Sequence, residues 1–462
     1  MNPTPSITQE QIAARAKVIR GQIAGRELFA GEKFRVAARP FSLPPEQIAR
    51  LEKLGPVIQD FYRACNLIYR RSWKEGRDAW VADYLDRGKP EALVQMARQK
   101  KFNGDLPVVL RPDLLVTDDG FALTELDSVP GGIGLTGFLA QTYAGVGFQI
   151  VGGANGMAGG FRNALGSAAV NDPAGIVAIC VSEESAMYRP EMEWVAGELR
   201  RGGLNVEVIA PEELEFHAEQ VSVRGRPINL LYRFFELFDL PHFTHGSKLL
   251  DAVERQTIRV TPPFKPVFEE KMWFALFRHP ALQEQWVREL GRKGMEMMES
   301  LIPVTAVMDP APLPPQALIA GVGIHQWNEL KGFSQKEREW IIKISGFSPE
   351  AWGAKGVYYG RDMPQEEWAK TIDTALEQFA RNPHIIQRFS ATAVSPVDWI
   401  DGEEVIHTMK GRVRLCPYYF CAGDGRPVLS GALATICPAD KKLIHGMDVA
   451  VLSPLAVESS GD

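Results

Sequence analysis

Residues 111–128 read RPDLLVTDDGFALTELDS, two strand-like runs, RPDLLV and FALTELDS, around the turn residues TDDG. Alternate side chains of a strand share a face. Arg111 and Asp113 therefore point one way on the first run, and Glu125 and Asp127 point one way on the second. Loop length decides whether the two pairs meet. A three-residue loop, Asp118-Asp119-Gly120, sets Asp113 opposite Glu125 and Arg111 opposite Asp127, with Gly120 in the left-handed position such loops want. A two-residue loop splits the pairs across the sheet. The turn chemistry allows both, and only the first gathers one arginine and three carboxylates. Two carboxylates 5 Å apart repel by roughly 3 kcal/mol at an effective dielectric of 20. A divalent cation offsets that cost, and ligands that are all oxygen suit Mg²⁺. The alternative is a solvated polar face on an edge hairpin.

The rest of the chain sets the frame. At roughly 150 residues per domain, 462 residues suggest about three folding units. With 45% hydrophobic and 23% charged residues, the composition is that of a globular protein, which argues against disorder and collagen-like sequence. Lys plus Arg is 51 against 57 Asp plus Glu, so no global basic excess exists for a nucleic-acid partner. The five cysteines (65, 180, 416, 421, 437) are too few and scattered for a disulfide framework and read as buried thiols. The opening MNPTPSITQEQ carries no apolar signal core, so a cytoplasmic location is expected. Ser128 to Phe161 holds no charged residue and is long enough to span a bilayer. Its eleven glycines and Pro130 make a poor isolated helix. It reads as a glycine-rich turn followed by buried elements, with no membrane partner.

Four segments follow from the patterning. Residues 1–105 read as a helical N-terminal region: a Thr8/Gln11 capping box, a helix from Pro44-Pro45 carrying Ile48, Leu51 and Leu54, and a third helix near Val57 to Tyr69. Residues 106–172 hold the hairpin and the glycine stretch. Residues 173–262 alternate short apolar strands (GIVAICVS, NVEVIAPEEL) with a helix at Glu191–Arg201, as in a small Rossmann-like, doubly wound module. Residues 263–455 begin with helices and Pro-rich connections. A strand at Trp340–Ile344, a Gly/Ser/Pro-rich loop, a strand at Gly356–Tyr359, a helix with Trp368, Ile372, Leu376 and Phe379, and the strand HIIQRF follow. The fold class is α/β, with α+β character.

Three stretches after the hairpin add cations and a hinge. TPPFKPVFEEKMWFALF places Lys271 at the start of an amphipathic helix, IIKISGFSPEAWGAKGVYYG places Lys343 on a strand before a flexible loop, and IIQRF is a strand that could hinge beside a base. Taken with the hairpin, they resemble the circularly permuted ATP-grasp family, which includes the synthetase part of glutathionylspermidine synthase. The metal-binding acids come first in this group, before both lysines, as they do here. The resemblance covers roughly residues 106–455; Arg-x-Asp, followed by acids twelve and fourteen residues past the Asp, carries it most specifically.

The resemblance implies an ATP- and Mg²⁺-dependent carboxylate–amine ligase working through an acyl phosphate. Its partners would be a small-molecule or peptide carboxylate and an amine, and residues 173–262 would be the module that precedes an ATP-grasp core. Asp113, Glu125 and Asp127 would be the Mg²⁺ ligands, although the family usually has Asn at the third place and Asp127 adds a charge. Arg111 and Lys343 would steady the transferring phosphoryl group. Lys271 and Lys343 would contact nucleotide phosphates. The loop Ser345 to Gly356, with Gly346, would be a mobile lid, Gln387 to Phe389 would line the adenine pocket, and Arg414 would be a further phosphate contact. Residues 1–105 contain no His, so an amidase domain is not expected within them.

Other motifs point less far. Gly132-x-Gly134-x-x-Gly137 lacks the acid that a dinucleotide site wants about 20 residues on. Gly353-Ala354-Lys355 lacks the spacing of a phosphate-binding loop. His242 and His245 lack nearby Cys or His partners for zinc. Arg224, Arg226 and Arg233 read as a solvated face or a basic patch. Two other functions keep the same fold: a catalytically silent nucleotide-binding or scaffold protein, and a phosphotransferase acting on a non-carboxylate acceptor.

Overall fold

The computed structural model describes residues 8–458 except 27, 29–33, 128, 170–171, 315, 352–354, 424 and 446–447. The N-terminal region is α1 (Gln9–Ile23), β1 (Arg35–Ala37), β2 (Phe41–Leu43), α2 (Pro45–Glu75), α3 (Trp80–Leu85) and α4 (Glu91–Ala97). The hairpin is β3 (Val109–Thr117) and β4 (Gly120–Asp127), followed by α5 (Ile133–Gly145) and α6 (Gly156–Ala168). Then come β5 (Ile176–Val181), α7 (Arg189–Arg201), β6 (Val206–Ile209), β7 (Glu215–Phe216), β8 (Val221–Val223), β9 (Arg226–Phe234), α8 (Gly246–Arg255) and β10 (Val260–Thr261). The last part holds α9 (Met272–Arg278), α10 (Gln283–Leu301), β11 (Thr305–Val307), β12 (Trp340–Ile344), β13 (Val357–Tyr359), α11 (Gln365–Glu377) and β14 (His384–Arg388). It closes with β15 (Val394–Ile400), β16 (Ile406–Phe420), β17 (Val428–Pro438) and β18 (Val451–Val457).

Three sheets organise these elements. The largest runs β15-β1-β18-β17-β16-β3-β4, with β2 also on β18. β16 is long enough to pair β17 along one edge and, on the other, β15 through its first half and β3 through its second. The second sheet runs β6-β5-β9-β8-β7, with β6, β5 and β9 parallel. The third, β11-β14-β12-β13, is antiparallel. β1 and β2 come from the mostly helical N-terminal region and are integral to the large sheet.

The hairpin corrects the loop argument. Thr117 pairs with Gly120, so the turn holds only Asp118 and Asp119. A two-residue loop was expected to split the charged pairs. It does not, because the register slips by one: Leu114 faces Leu123, whereas Asp113 faces Glu125 and Arg111 faces Asp127. Thr124 is the extra residue of a β-bulge, and its hydroxyl donates to the Asp113 carbonyl at 3.1 Å. One inserted residue flips every side chain beyond it to the other face. That flip brings the carboxylates back to the side of Arg111.

Other expectations shift for packing reasons. The second and third N-terminal helices are one helix, α2, running through Pro56. Tyr419 packs on the turn at Gly55, where a Cβ would lie 2.5 Å from its ring, and its hydroxyl donates to the Leu51 carbonyl at 2.7 Å. The charge-free stretch forms α5 and α6 despite its glycines, since tertiary packing rather than propensity holds such helices. At Gly134 a Cβ would sit 2.2 Å from the Glu191 carbonyl, so α7 can approach α5 closely only over glycine. The helix after Lys271 is not amphipathic: Met272 through Phe277 are all buried. Arg224 and Arg226 are paired with Glu207 and Glu213, and Arg233 is buried on Glu269, so the three form no basic patch. All five cysteines are buried and unpaired with one another. No helix among the described residues is long and apolar enough to cross a membrane.

Candidate functional site

The edge strand β4 of the large sheet faces β12 of the four-stranded sheet, and a cavity of about 430 Å³ opens between them. Arg111, Asp113, Glu125 and Asp127 line it from the hairpin, Lys271 from the start of α9, Lys343 from β12, and Arg414 from β16. These residues are up to 303 positions apart in sequence (111 to 414). The loop after β5 adds Ser185 and Tyr188, and the end of β9 adds Phe235 and Glu236. Lys442 and His445 border it from the segment before β18.

The charges form a connected set. Arg111 bridges two acids, Nε to Asp113 at 3.0 Å and Nη2 to Asp127 at 2.8 Å, and Nη1 donates to the Gly131 carbonyl at 3.1 Å. Arg414 reaches the other Asp113 oxygen at 3.3 Å, while its Nε is buried without a partner. Lys271 Nζ lies 2.8 Å from Glu125 and donates to the Ala351 carbonyl at 3.0 Å. Lys343 Nζ donates to Gln387 Oε1 at 2.8 Å and to the bulge carbonyl of Thr124 at 3.3 Å.

Burial and charge compete at each group. Burial alone would raise the Asp113 carboxyl, but Arg111 and Arg414 outweigh it and hold it below the ordinary range. At Asp127 burial wins over Arg111, with Glu125 and Asp113 adding to the rise. Lys343 is pushed down from 10.5 to about 8 by burial, with Lys271 adding to the fall and Glu125 and Asp113 opposing it. Burial also works against the Lys271 ammonium, yet Glu125 more than restores it. On the opposite wall, burial followed by the nearby charges of Glu269 and Asp127 pushes Glu236 well up, against the pull of Arg233. Glu236 and Glu269 are two partly buried carboxyls close enough to disfavour double ionisation.

The remaining expected residues are placed differently. Phe389 lines the cavity and stacks on Tyr359, ring centroids 4.3 Å apart. Gln387 is buried and serves Lys343, anchored in turn to the Thr305 hydroxyl at 3.1 Å. Ser345 is fully buried; its hydroxyl bonds the Glu270 carboxylate and accepts from the Met272 amide at 2.9 Å, so its side chain turns away from the cavity. Gly346 borders a small annex beside Lys271 and Glu236. Gly356 accepts from the Ile344 amide at 3.3 Å. Residues 352–354 of the expected lid, Gly353 among them, lie outside the described residues. The glycine motif opens α5, where Glu191 takes the amides of Gly132 (2.7 Å) and Leu135 (3.1 Å). A carboxylate thus already fills the anion-binding helix start.

Several residues here were not singled out from sequence. Glu236 had one signal: it follows a buried strand at its carboxyl end, where open α/β sheets bind ligands. Thr124, Cys416 (thiol 3.4 Å from Asp113) and Glu269 had none. A larger cavity, about 760 Å³, lies beside Trp80, Tyr84, His279 and Trp327 and carries none of the hairpin acids or cavity lysines.

The hairpin carboxylates are not a ready-made cation cage. Among the described residues, the group whose donor atoms all fall within 4.8 Å of one another is Glu184, Asp239 and His242, not the hairpin acids. The hairpin oxygens are mostly occupied by arginine and lysine. Mg²⁺ generally takes only one or two carboxylates and completes its shell with phosphate and water oxygens. The oxygen-only donor set of Asp113, Glu125 and Asp127 fits that shared mode, and the orphaned Arg414 Nε and the buried Lys343 fit an anion beside it.

No family model matches the chain, and no curated protein matches it. Among solved structures it is similar to a glutathione synthetase-like effector from Globodera pallida in the apo form. That match has a TM-score of 0.57 and 10% identity, over 99% of this chain and 100% of that one. A Methylobacillus flagellatus KT protein provisionally named γ-glutamylcysteine synthetase matches at TM-score 0.42 and 11% identity, over 86% and 88% of the two chains. The first likeness concerns fold alone and agrees with the mixed α/β architecture; the second is too loose to argue from.

Proposed function

We propose that the chain is an ATP- and Mg²⁺-dependent ligase that joins a carboxylate to an amine, built on a permuted ATP-grasp core. The observation that supports it best is the convergence of Arg111, Lys271, Lys343 and Arg414 with three hairpin acids on one cavity. Phosphoryl transfer asks for positioning and positive charge around the moving group rather than covalent help. Arg111 and Lys343 hold that charge, and Lys271 and Arg414 orient the phosphate chain. Asp113, Glu125 and Asp127 would hold Mg²⁺, which supplies charge neutralisation between phosphates. Phe389 on Tyr359 offers an aromatic face for a base.

Glu236 faces these groups across the cavity. On this reading its ionised carboxylate takes the proton that the amine nitrogen releases as it attacks the acyl carbon, while phosphate leaves toward Arg111 and Lys343. Closing the cavity to water would protect an acyl phosphate from hydrolysis.

The test is ADP release in the presence of ATP and Mg²⁺ with panels of amines and carboxylates. Release that requires both an acid and an amine supports the ligase. Tight ATP binding without turnover identifies a silent nucleotide-binding protein. Transfer to an acceptor that is not a carboxylate identifies a phosphotransferase.

A further inference from the structure

The second sheet changes direction beside β5: β6 lies on one side of it and β9 on the other, both parallel to it. Ligands of open α/β sheets bind outside the carboxyl ends of strands at such a point. Glu184 follows β5 there, and Asp239 and His242 follow β9. One donor atom from each of the three lies within 4.8 Å of the other two, and His242 Nδ1 is 2.8 Å from Glu184 Oε1.

Asp239 supplies an independent observation. It is only 2% exposed, and its Oδ1 has no hydrogen-bond partner, while Oδ2 takes the Glu236 amide at 3.3 Å. A buried carboxylate oxygen with no donor is costly unless something positive meets it. His242 and Glu184 lie beside the Asp239 carboxylate, partly exposed to solvent, so an ion has a path in.

We infer that Glu184, Asp239 and His242 form a site for a divalent first-row transition ion, with Zn²⁺ as its natural probe. One imidazole and two carboxylates suit zinc better than Mg²⁺, which prefers oxygen alone. Ligand atoms around tetrahedral zinc stand about 3.4 Å apart, so a small opening of the His242–Glu184 contact admits the ion. The ion would tie the loop after β5 to the turn after β9. Those segments carry Ser185, Tyr188 and Glu236 to the main cavity. This site shares no residue with the hairpin acids and stands whether or not the chain is a ligase.

Zn²⁺ titration of the chelator-stripped full-length protein, in excess Mg²⁺, tests it by calorimetry. The expected result is one Zn²⁺ per chain, an affinity lowered at least about tenfold in His242→Ala, and an unchanged affinity in His245→Ala. His242 is exposed, so its replacement leaves the fold intact; Asp239→Asn should repeat the loss. No Zn²⁺ uptake by the wild type, or equal uptake by His242→Ala, would overturn the assignment. So would a loss in His245→Ala as large as that in His242→Ala.

Discussion

Lys343→Met separates a lysine kept for an anion from one kept for the fold. The ammonium sits in a nearly closed space, and its partners are two neutral oxygens, Thr124 O and Gln387 Oε1, rather than a carboxylate. Its pKa falls from 10.5 to about 8 mainly through burial. A displacement of that size corresponds to about 3 kcal/mol against the folded state at neutral pH. Methionine fills similar space without the charge. It leaves two acceptors without a donor, at about 1 kcal/mol each. The variant should therefore be about 1 kcal/mol more stable than wild type at pH 7.

The sign of the pH dependence follows. Between pH 8 and 10.5 the unfolded chain holds the proton that folded Lys343 has released, so wild-type stability rises with pH relative to the variant. The advantage of Lys343→Met should shrink through that window. Urea unfolding at pH 7 and at pH 10 measures both values. In the same variant MgATP affinity should drop at least tenfold, about 1.4 kcal/mol. A variant clearly less stable than wild type at pH 7, or a gap unmoved by pH, would make Lys343 a structural residue rather than one kept for an anion.

Three further outcomes are expected. Asp113→Ala leaves Arg111 and Arg414 facing a vacated corner and should cost about 3 kcal/mol in urea unfolding. It should weaken MgATP more than Mg-free ATP; equal losses in the two titrations would take Asp113 off the metal. Deleting Thr124 removes the bulge and leaves a regular ladder in which Glu125 still faces Asp113 and Asp127 still faces Arg111, so MgATP binding should stay within about threefold of wild type with circular dichroism preserved. A fall of about a hundredfold or more would show that the acids lose their alignment when the extra residue and its carbonyl contact to Lys343 are gone. Glu236→Gln should lower amine-dependent turnover about 10²-fold while MgATP affinity holds. The wild-type rate should climb with pH as this raised carboxyl ionises, and the variant should lose that limb; an identical profile would remove Glu236 from proton transfer.

Local pattern was enough for the elements that carry these residues. Alternation along 109–127, the apolar runs of β5, β12 and β14, and the helical spacing of Trp368, Ile372 and Phe379 are short-range signals, and the strands and helix stand where they point. The types of side chain in the site were legible too, because arginine, lysine and three acids in strand-like spacing are costly without a purpose. Register was not. Whether Asp113 meets Glu125 depends on a single bulged residue, and the turn sequence cannot report a bulge seven positions from its start. Nor could spacing tell that Gln387 serves Lys343, that Ser345 turns to Glu270, or that Glu236 closes the far wall. Those follow from how β4, β12 and β9, from three different sheets, pack around one cavity. Residue order alone sets which charges the chain carries and how they alternate along each strand. Tertiary packing decided which of them meet, since burial and the charge of distant neighbours set both position and ionisation.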